Sequence, residues 1–141
     1  MNYQEYLQYD GLGLAELVAK KQVQPAELLK IALERSQQVN PELNAITIAM
    51  HDYAEQRSQQ KLEGPFAGVP FLVKDLYQEY QGYPSSFGCK AFKRLGYIAE
   101  THSEIVKRWN AVGIVTFGRT NTPEFGIKGI TEPDAWGACK N

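Results

Sequence analysis

Two short apolar segments separated by a capped amphipathic helix constrain the fold more than any other feature of the sequence. The first runs from Phe71 to Leu76 and the second from Ile114 to Phe117, and each is typical of a strand covered on both faces. Between them, Thr101-His102-Ser103-Glu104 matches a capping box, and the helix that follows ends at Gly113. That helix has one apolar face, formed by Ile105, Val106, Trp109 and Val112. A strand, a helix and a strand in this order predict an α/β layered sheet.

The first 43 residues predict a helical organisation instead. All but two of the 12 glycines lie beyond residue 63, so the front of the chain favours helices. Asp10 is positioned to cap a first helix, and Pro25 stands where a second helix begins. Asn40-Pro41 is expected to end that second helix. We therefore predict a helical hairpin over residues 1–43 and an α/β core that starts at residue 44.

Three further segments complete the predicted core. Ala45–Met50 is rich in β-branched residues and predicts a strand. His51–Leu62 is polar on nearly every side and is expected to be a solvated helix. Thr122-Pro123-Glu124 predicts the start of another element, with a threonine cap and a proline at the first position.

The charge balance and the residue types argue against several classes of function. Fifteen Lys and Arg oppose 16 Asp and Glu, a net charge of −1, which lacks the positive field of a nucleic-acid-binding or membrane-surface protein. No apolar run approaches the ~18 residues of a membrane-spanning helix. Cys89 and Cys139 lack metal-ligand spacing, and Gly11-Leu12-Gly13 lacks the third glycine of the dinucleotide fingerprint. We therefore expect a globular cytoplasmic protein without a metal or a cofactor.

Lys74 is the most informative candidate for chemistry, because it lies within the most apolar strand of the chain. Side chains alternate along a strand, so Leu72, Lys74 and Leu76 are expected on one face, with Val73 and Asp75 on the other. An apolar face penalises the ammonium form, which would lower the pKa of Lys74 and let it act as a general base. The alternative is a lysine at the strand end that extends to water beside a surface aspartate.

Other residues with reactive side chains carry weaker signals. Ser85 and Ser86 lie in a loop, where hydroxyls can bind a substrate but usually form local turn bonds. Cys89 has no histidine nearby in the sequence and is expected to be a structural thiol. His51 and His102 fall near predicted helix starts and are expected at the surface.

Phe125, Gly126 and Ile127 form a candidate substrate contact. They directly follow the Thr-Pro-Glu turn, and we expect them to approach the substrate side of the fold. For Phe125, a place in the apolar core is an equally good interpretation.

The order of several motifs resembles the N-terminal part of the amidase signature family. Those motifs are Gly68-Val69-Pro70 leading into Lys74-Asp75, then Ala111-Val112-Gly113, then the segment from Gly118 to Phe125. The resemblance covers nearly the whole chain, and Thr131–Ala138 most resembles the 6-aminohexanoate cyclic-dimer hydrolase branch. On this basis residues 1–141 are expected to be the N-terminal portion of a single amidase signature domain, with an incomplete mixed sheet.

The resemblance implies a Ser–cis-Ser–Lys arrangement in which Lys74 matches the family's catalytic lysine. The family's Gly/Ser-rich segment carries both serines and would supply the oxyanion hole. No such segment occurs in the chain, and it is expected beyond Asn141. Ser85 and Ser86 do not match that segment. The 141-residue chain alone is therefore expected to be inactive.

The activity implied by the resemblance is hydrolysis of linear or cyclic amide C–N bonds in a small-molecule substrate. Two alternatives stay open at this point. One is the glutamine-hydrolysing subunit of a tRNA-dependent amidotransferase, and the other is a non-catalytic α/β interaction module. An amidase fragment predicts an uncovered sheet edge and apolar faces through which copies associate into homo-oligomers, whereas a module predicts a closed monomer.

Overall fold

The computed structural model describes residues 1–140, which form a three-stranded mixed sheet covered by helices. The strands are β1 (Ile46–Ala49), β2 (Pro70–Lys74) and β3 (Val115–Thr120), and the helices are α1 (Tyr3–Tyr6), α2 (Gly11–Ala19), α3 (Pro25–Leu43), α4 (His51–Ser58), α5 (Lys90–Leu95) and α6 (Glu104–Ala111). A 3-10 turn over Glu124–Gly126 follows β3. The predicted α/β class is confirmed. Within the described residues, no helix is long and apolar enough to cross a membrane.

The strand order is β1-β3-β2, so β3 occupies the centre of the sheet. β1 pairs with β3 in the antiparallel sense, whereas β2 pairs with β3 in parallel through a connection that contains α5 and α6. From Val115 to Arg119 every residue of β3 is buried, as its apolar run predicts. The parallel register sets Lys74 opposite Thr120, so the carboxyl ends of β2 and β3 meet at one edge of the sheet.

The two predicted helix starts at the front of the chain are confirmed. The Asp10 carboxylate accepts the backbone N–H of Gly13 at 2.8 Å and caps α2. Pro25 occupies the first position of α3, where a backbone N–H has no partner within the helix. The N–H before it, that of Gln24, donates to the Glu27 carboxylate at 2.8 Å.

The predicted end of α3 at Asn40-Pro41 is wrong, since the helix extends to Leu43. Pro41 removes one N–H, but it stands in the last turn, where little helix remains to be disrupted. The Asn40 side chain supports that turn, because its Oδ1 accepts the backbone N–H groups of Ala45 and Ile46 at 2.9 and 2.7 Å. The residue after Leu43 ends the helix in the left-handed conformation, with φ of 50°.

α4 is more than the solvated helix expected from its polar sequence. It buries Ala54 and Ser58 and packs against β3. Its Arg57 donates Nε to the Ile114 carbonyl at 2.7 Å and Nη2 to the Asn110 carbonyl at 2.6 Å. Polar side chains thus hold α4 to the end of α6 and the start of β3, a role that hydrophobic periodicity does not report.

The capping box predicted at Thr101–Glu104 is wrong. α6 begins at Glu104 with Ser103 as its N-cap, and the Ser103 side chain accepts no N–H of the helix. The backbone N–H of Ser103 instead donates to the Glu79 carbonyl at 3.0 Å. A tertiary hydrogen bond, rather than a local one, therefore fixes where this helix enters.

Three apolar clusters hold the helices on the sheet. The first packs α2 and the start of α3 around Val69, the second packs α3 and α4 on β3, and the third lies between β2 and α6. Their most deeply buried members include Leu28, Val115, Met50, Val73 and Val106. Full burial of such a side chain contributes about 1.5–3 kcal/mol to stability. The third cluster supports the carboxyl end of β2, where the candidate site lies.

Candidate functional site

Lys74 ends β2, and its side chain and that of the next residue, Asp75, lie on opposite faces of the sheet. The predicted alternation is confirmed, because Val73 and Asp75 are buried while Lys74 is exposed. The prediction that Lys74 lies against a covered apolar face is wrong for this chain, since the charged group taken into the interior is Asp75. Leu72, on the same face as Lys74, packs against the second apolar cluster, and this cover ends before Lys74.

Asp75 is the centre of a buried polar network. Its Oδ1 accepts Arg119 Nε at 3.0 Å, and both side chains are 0% exposed. Ser85 donates its hydroxyl to the same oxygen at 3.1 Å. Ser86 donates its backbone N–H to both carboxylate oxygens and its hydroxyl to Oδ2. A buried carboxylate with this many donors is satisfied in its hydrogen bonding, as burial of a charge requires.

Arg119 connects the network to the turn that follows β2. Its Nη1 donates to the Gln78 carbonyl at 3.1 Å and its Nη2 to the Ser85 hydroxyl at 2.8 Å. Burial lowers the pKa of the Arg119 guanidinium, and the Asp75 carboxylate opposes that shift. Guanidinium groups stay protonated in proteins, so Arg119 and Asp75 form a buried pair whose charges cancel.

The expectation of local turn bonds is wrong for Ser85 and is confirmed in part for Ser86, whose Oγ accepts the backbone N–H of Gly88 at 3.2 Å. Both residues are only 2% exposed, and their hydroxyls bind Asp75 on a neighbouring element. Ser86 Oγ also accepts Trp136 Nε1 at 2.8 Å, which ties the C-terminal segment to the network. Both hydroxyls are therefore committed to structural hydrogen bonds, and neither bonds to Lys74.

Sequence reasoning missed Asp75 and Arg119 as partners, although a signal existed. Each is a charged residue near the carboxyl end of an apolar strand, and a charge in such a position requires an opposite charge if it is buried. Parallel pairing brings the two strand ends to one edge. Lys74 obscured the signal, because either member of Lys74-Asp75 was a candidate for the interior.

Lys74 combines a fixed backbone with a free side chain. Its backbone N–H donates to Gln78 Oε1 at 2.6 Å, and the next N–H, that of Asp75, donates to the Thr120 carbonyl at 3.1 Å. Among the described residues, the Lys74 ammonium has no ion-pair partner. An amine presented in this way is available to a group outside residues 1–140.

The predicted substrate contact at Phe125, Gly126 and Ile127 lies beside the end of β2. A Cβ placed on Gly126 would stand 2.7 Å from Cδ2 of Leu76, two residues after Lys74. Phe125 is 37% exposed and stacks on Phe87 with ring centroids 6.2 Å apart, so one face of its ring packs against another aromatic side chain. Ile127 is 81% exposed. The predicted threonine cap is wrong, because Pro123 is the N-cap of this 3-10 turn.

The remaining candidates have structural positions. His102 Nδ1 accepts the backbone N–H of Gln81 at 2.9 Å, and its ring contacts Tyr80 edge to face. Burial lowers the pKa of His102, and the positive charge of Lys107 lowers it further. Cys89 is a buried free thiol. Residues 1–140 contain no group of three or more side chains suited to hold a metal ion.

Comparison with known proteins relates the chain to one family. The family model described as Amidase matches residues 27–141. A 6-aminohexanoate-cyclic-dimer hydrolase of Paenarthrobacter ureafaciens is 42% identical over 132 residues, and a glutamyl-tRNA(Gln) amidotransferase subunit of Methylobacillus flagellatus is 31% identical over 135 residues. These alignments cover 94% and 91% of this chain, and 27% of each relative.

The fold gives the same result as the sequence. A solved structure of 6-aminohexanoate cyclic dimer hydrolase matches with a TM-score of 0.90 and 42% identity, over 94% of this chain and 27% of that chain. The chain thus spans about a quarter of the length of these relatives. The resemblance drawn from the motifs, including that to the cyclic-dimer hydrolases, is confirmed. Because the family model covers most of its length, this chain belongs to the amidase signature family.

Proposed function

We propose that this chain supplies the catalytic lysine, Lys74, of an amidase that hydrolyses C–N bonds of small-molecule amides by a Ser–cis-Ser–Lys mechanism. Both serines and the oxyanion hole belong to a Gly/Ser-rich segment outside residues 1–141. The observation that carries the proposal is the placement of Lys74 at the carboxyl edge of the sheet, exposed and without an ion-pair partner among residues 1–140. Ligands of open α/β sheets bind at that edge.

In the proposed reaction the Lys74 amine accepts a proton from the bridging serine, which accepts one from the nucleophilic serine. The serine oxygen bonds to the amide carbonyl carbon, and backbone N–H groups stabilise the oxyanion. The C–N bond then breaks, and the proton on Lys74 returns through the bridging serine to the leaving amine. Water cleaves the acyl-enzyme by the same proton route and releases the acid.

The buried pair beside Lys74 supports this assignment. An amine that must take up and release a proton is hindered by a fixed carboxylate partner, which would hold it in the ammonium form. Asp75 is the nearest carboxylate in sequence, but its charge is balanced by Arg119 on the other face of the sheet. Lys74 is thus left free to pair with a serine.

We assign Phe125, Gly126 and Ile127 to the rim of the substrate site. The close approach of Gly126 to Leu76 sets this segment beside the strand that ends in Lys74. The exposed side chain of Ile127 provides an apolar contact suited to the methylene groups of an aliphatic amide.

For the substrate we favour a linear or cyclic aliphatic amide over glutamine. This preference is supported by the 42% identity to a 6-aminohexanoate-cyclic-dimer hydrolase, against 31% to the amidotransferase relative. A glutaminase measurement on the active protein separates the two, because only an amidotransferase-type enzyme turns over glutamine preferentially.

We also propose that the 141-residue chain alone has no amidase activity and that its copies associate through uncovered surfaces. We further propose that the protein works in the cytoplasm. The hydroxyls of Ser85 and Ser86 are engaged with Asp75, so neither of these serines is free to act as a nucleophile for Lys74. Large apolar side chains are exposed at Leu95, Ile98, Ile127 and Ile130. Size-exclusion chromatography that gives a clean monomer would contradict the association.

A chimera tests the proposed activity. It joins residues 1–140 of this chain to the remaining length of the Paenarthrobacter ureafaciens hydrolase, with which the chain shares 42% identity. We expect the chimera to hydrolyse the 6-aminohexanoate cyclic dimer and Lys74→Ala to abolish that hydrolysis. Lys61→Ala is the matched control, because Lys61 is 88% exposed and lies on a distant loop.

Each outcome of this experiment bears on the proposal. Activity that survives Lys74→Ala would contradict the role of Lys74. A folded chimera without amidase activity would favour the non-catalytic interaction module. Turnover of the amide by purified residues 1–141 would contradict the proposed inactivity of the isolated chain.

A further inference from the structure

The backbone of Lys74 is part of a closed ring of hydrogen bonds and covalent bonds. The Lys74 N–H donates to the Gln78 side chain at 2.6 Å, and the Gln78 carbonyl accepts Arg119 Nη1 at 3.1 Å. Arg119 Nε donates to Asp75 at 3.0 Å, and the peptide bond from Asp75 to Lys74 closes the ring. The catalytic candidate is the one member of this ring whose side chain takes no part in it.

The ring holds a turn that is unfavourable by itself. Tyr77, between Asp75 and Gln78, has φ of 56°, a left-handed conformation that is unfavourable for a residue other than glycine. Its side chain is 63% exposed, so burial of Tyr77 does not explain the conformation. The bonds from Gln78 to Lys74 and to Arg119 are those that retain the turn.

β2 lies at the edge of the sheet formed by the described residues, so only one of its two sides pairs with a strand. On the other side, a side chain is needed as the hydrogen-bond partner of the backbone. The Asp75 N–H is directed to β3, where it meets the Thr120 carbonyl. The Lys74 N–H has no such strand partner among residues 1–140, and Gln78 Oε1 takes the place of one. Gln78 thereby fixes the peptide from which the Lys74 side chain projects.

The geometry assigns to Gln78 and Arg119 the role of positioning residues, which fix the direction of the Lys74 side chain by holding its backbone in this ring. The assignment rests on the proposed role of Lys74 as the base. A base must lie within hydrogen-bond reach of the proton it takes, and a displacement of about 1 Å costs about 100-fold in rate. The buried Asp75–Arg119 pair thus affects the reaction indirectly, because it holds the turn from Asp75 to Gln78 that fixes the Lys74 backbone.

The ratio of amide to ester hydrolysis by the chimera tests this role. A leaving amine needs the proton that Lys74 returns, whereas p-nitrophenolate leaves without one. In the chimera, Gln78→Met removes the acceptor for the Lys74 N–H while keeping the buried pair, and we expect the kcat ratio of cyclic dimer to p-nitrophenyl acyl ester to fall about 10- to 100-fold. The fraction of folded enzyme cancels in this ratio, so a loss of stability does not change it.

Gln81→Met is the matched control, because Gln81 is an exposed glutamine of the same loop region and its side chain makes no hydrogen bond among the described residues. Arg119→Lys is the second variant, since it keeps the charge beside Asp75 but cannot hold both Asp75 and the Gln78 carbonyl as a guanidinium does. We expect a smaller fall in the same ratio. An unchanged ratio in Gln78→Met, in a chimera that Lys74→Ala inactivates, would overturn the positioning role and leave the proposed function intact. An inactive parent chimera would instead contradict the proposed function.

Discussion

The two faces of the sheet at the end of β2 differ in how completely this chain covers them. On one face Asp75 is fully buried, and both of its carboxylate oxygens accept hydrogen bonds from β3 or the 85–86 loop. On the other face Lys74 is exposed, and of the two residues that follow Asp75, Leu76 is partly buried and Tyr77 is exposed. Consecutive residues of one strand thus belong to a finished interior and to an open surface. The face that carries Asp75 stabilises this part of the fold, whereas the face that carries Lys74 presents a side chain that is available for chemistry.

The largest expected effect on stability comes from removing the counter-charge of Asp75 on the covered face. Arg119→Met leaves Asp75 as a buried carboxylate without its counter-charge, and we expect the free energy of unfolding to fall by about 3–5 kcal/mol. Urea unfolding followed by circular dichroism measures the change. The double variant Asp75→Leu with Arg119→Met is expected to recover part of the loss, because it removes both charges. A loss below about 1 kcal/mol in the single variant would show that the pair is not the support we describe.

Ser86→Ala is expected to have the next largest effect. It removes a hydroxyl donor from Asp75 and leaves Trp136 Nε1 without its acceptor, which we expect to cost about 1–3 kcal/mol in urea unfolding. Ser36→Ala is the control, because the Ser36 hydroxyl donates only to the Leu33 carbonyl within α3. Equal losses in the two variants would contradict the special position of Ser86.

A smaller effect is expected from pH at the loop that borders the covered face. Burial lowers the pKa of folded His102 below 6.5, its usual value in the unfolded chain. Its contribution to stability is therefore present above pH 6.5 and is lost as the pH falls through the folded value. We expect the urea concentration at the unfolding midpoint to be lower at pH 5.5 than at pH 7.5. We expect this difference to be smaller in His102→Asn. Asparagine keeps an acceptor for the Gln81 N–H but does not titrate, so identical profiles would exclude His102 as the source.

The smallest effect on stability is expected from Lys74→Ala on the open face. Lys74 is exposed and has no ion-pair partner in the described part of the chain, so we expect a change within about 0.5 kcal/mol in the same urea measurement. The same substitution is expected to abolish hydrolysis in the chimera. A destabilisation comparable with that of Arg119→Met would mean that the two faces are not as different as their burial indicates.

Much of the fold follows from local features of the sequence. The Asp10 cap, the proline that starts α3 and the apolar runs of β2 and β3 are local signals, and the structure contains each element they predict. Two of the failures share a cause. The start of α6 depends on a bond between Ser103 and Glu79, and the buried face of α4 depends on bonds from Arg57, so both are decided by distant residues.

The sequence by itself determined that Lys74 and Asp75 project to opposite faces, because side chains alternate along any strand. It also carried the motifs by which the chain belongs to its family. Only the tertiary structure decided which of the two is buried. Burying a charge is favourable only with a partner, and the partner, Arg119, lies 44 positions away along the chain. The parallel pairing of β2 with β3 brings it to Asp75, and Lys74 is thereby left to the open face.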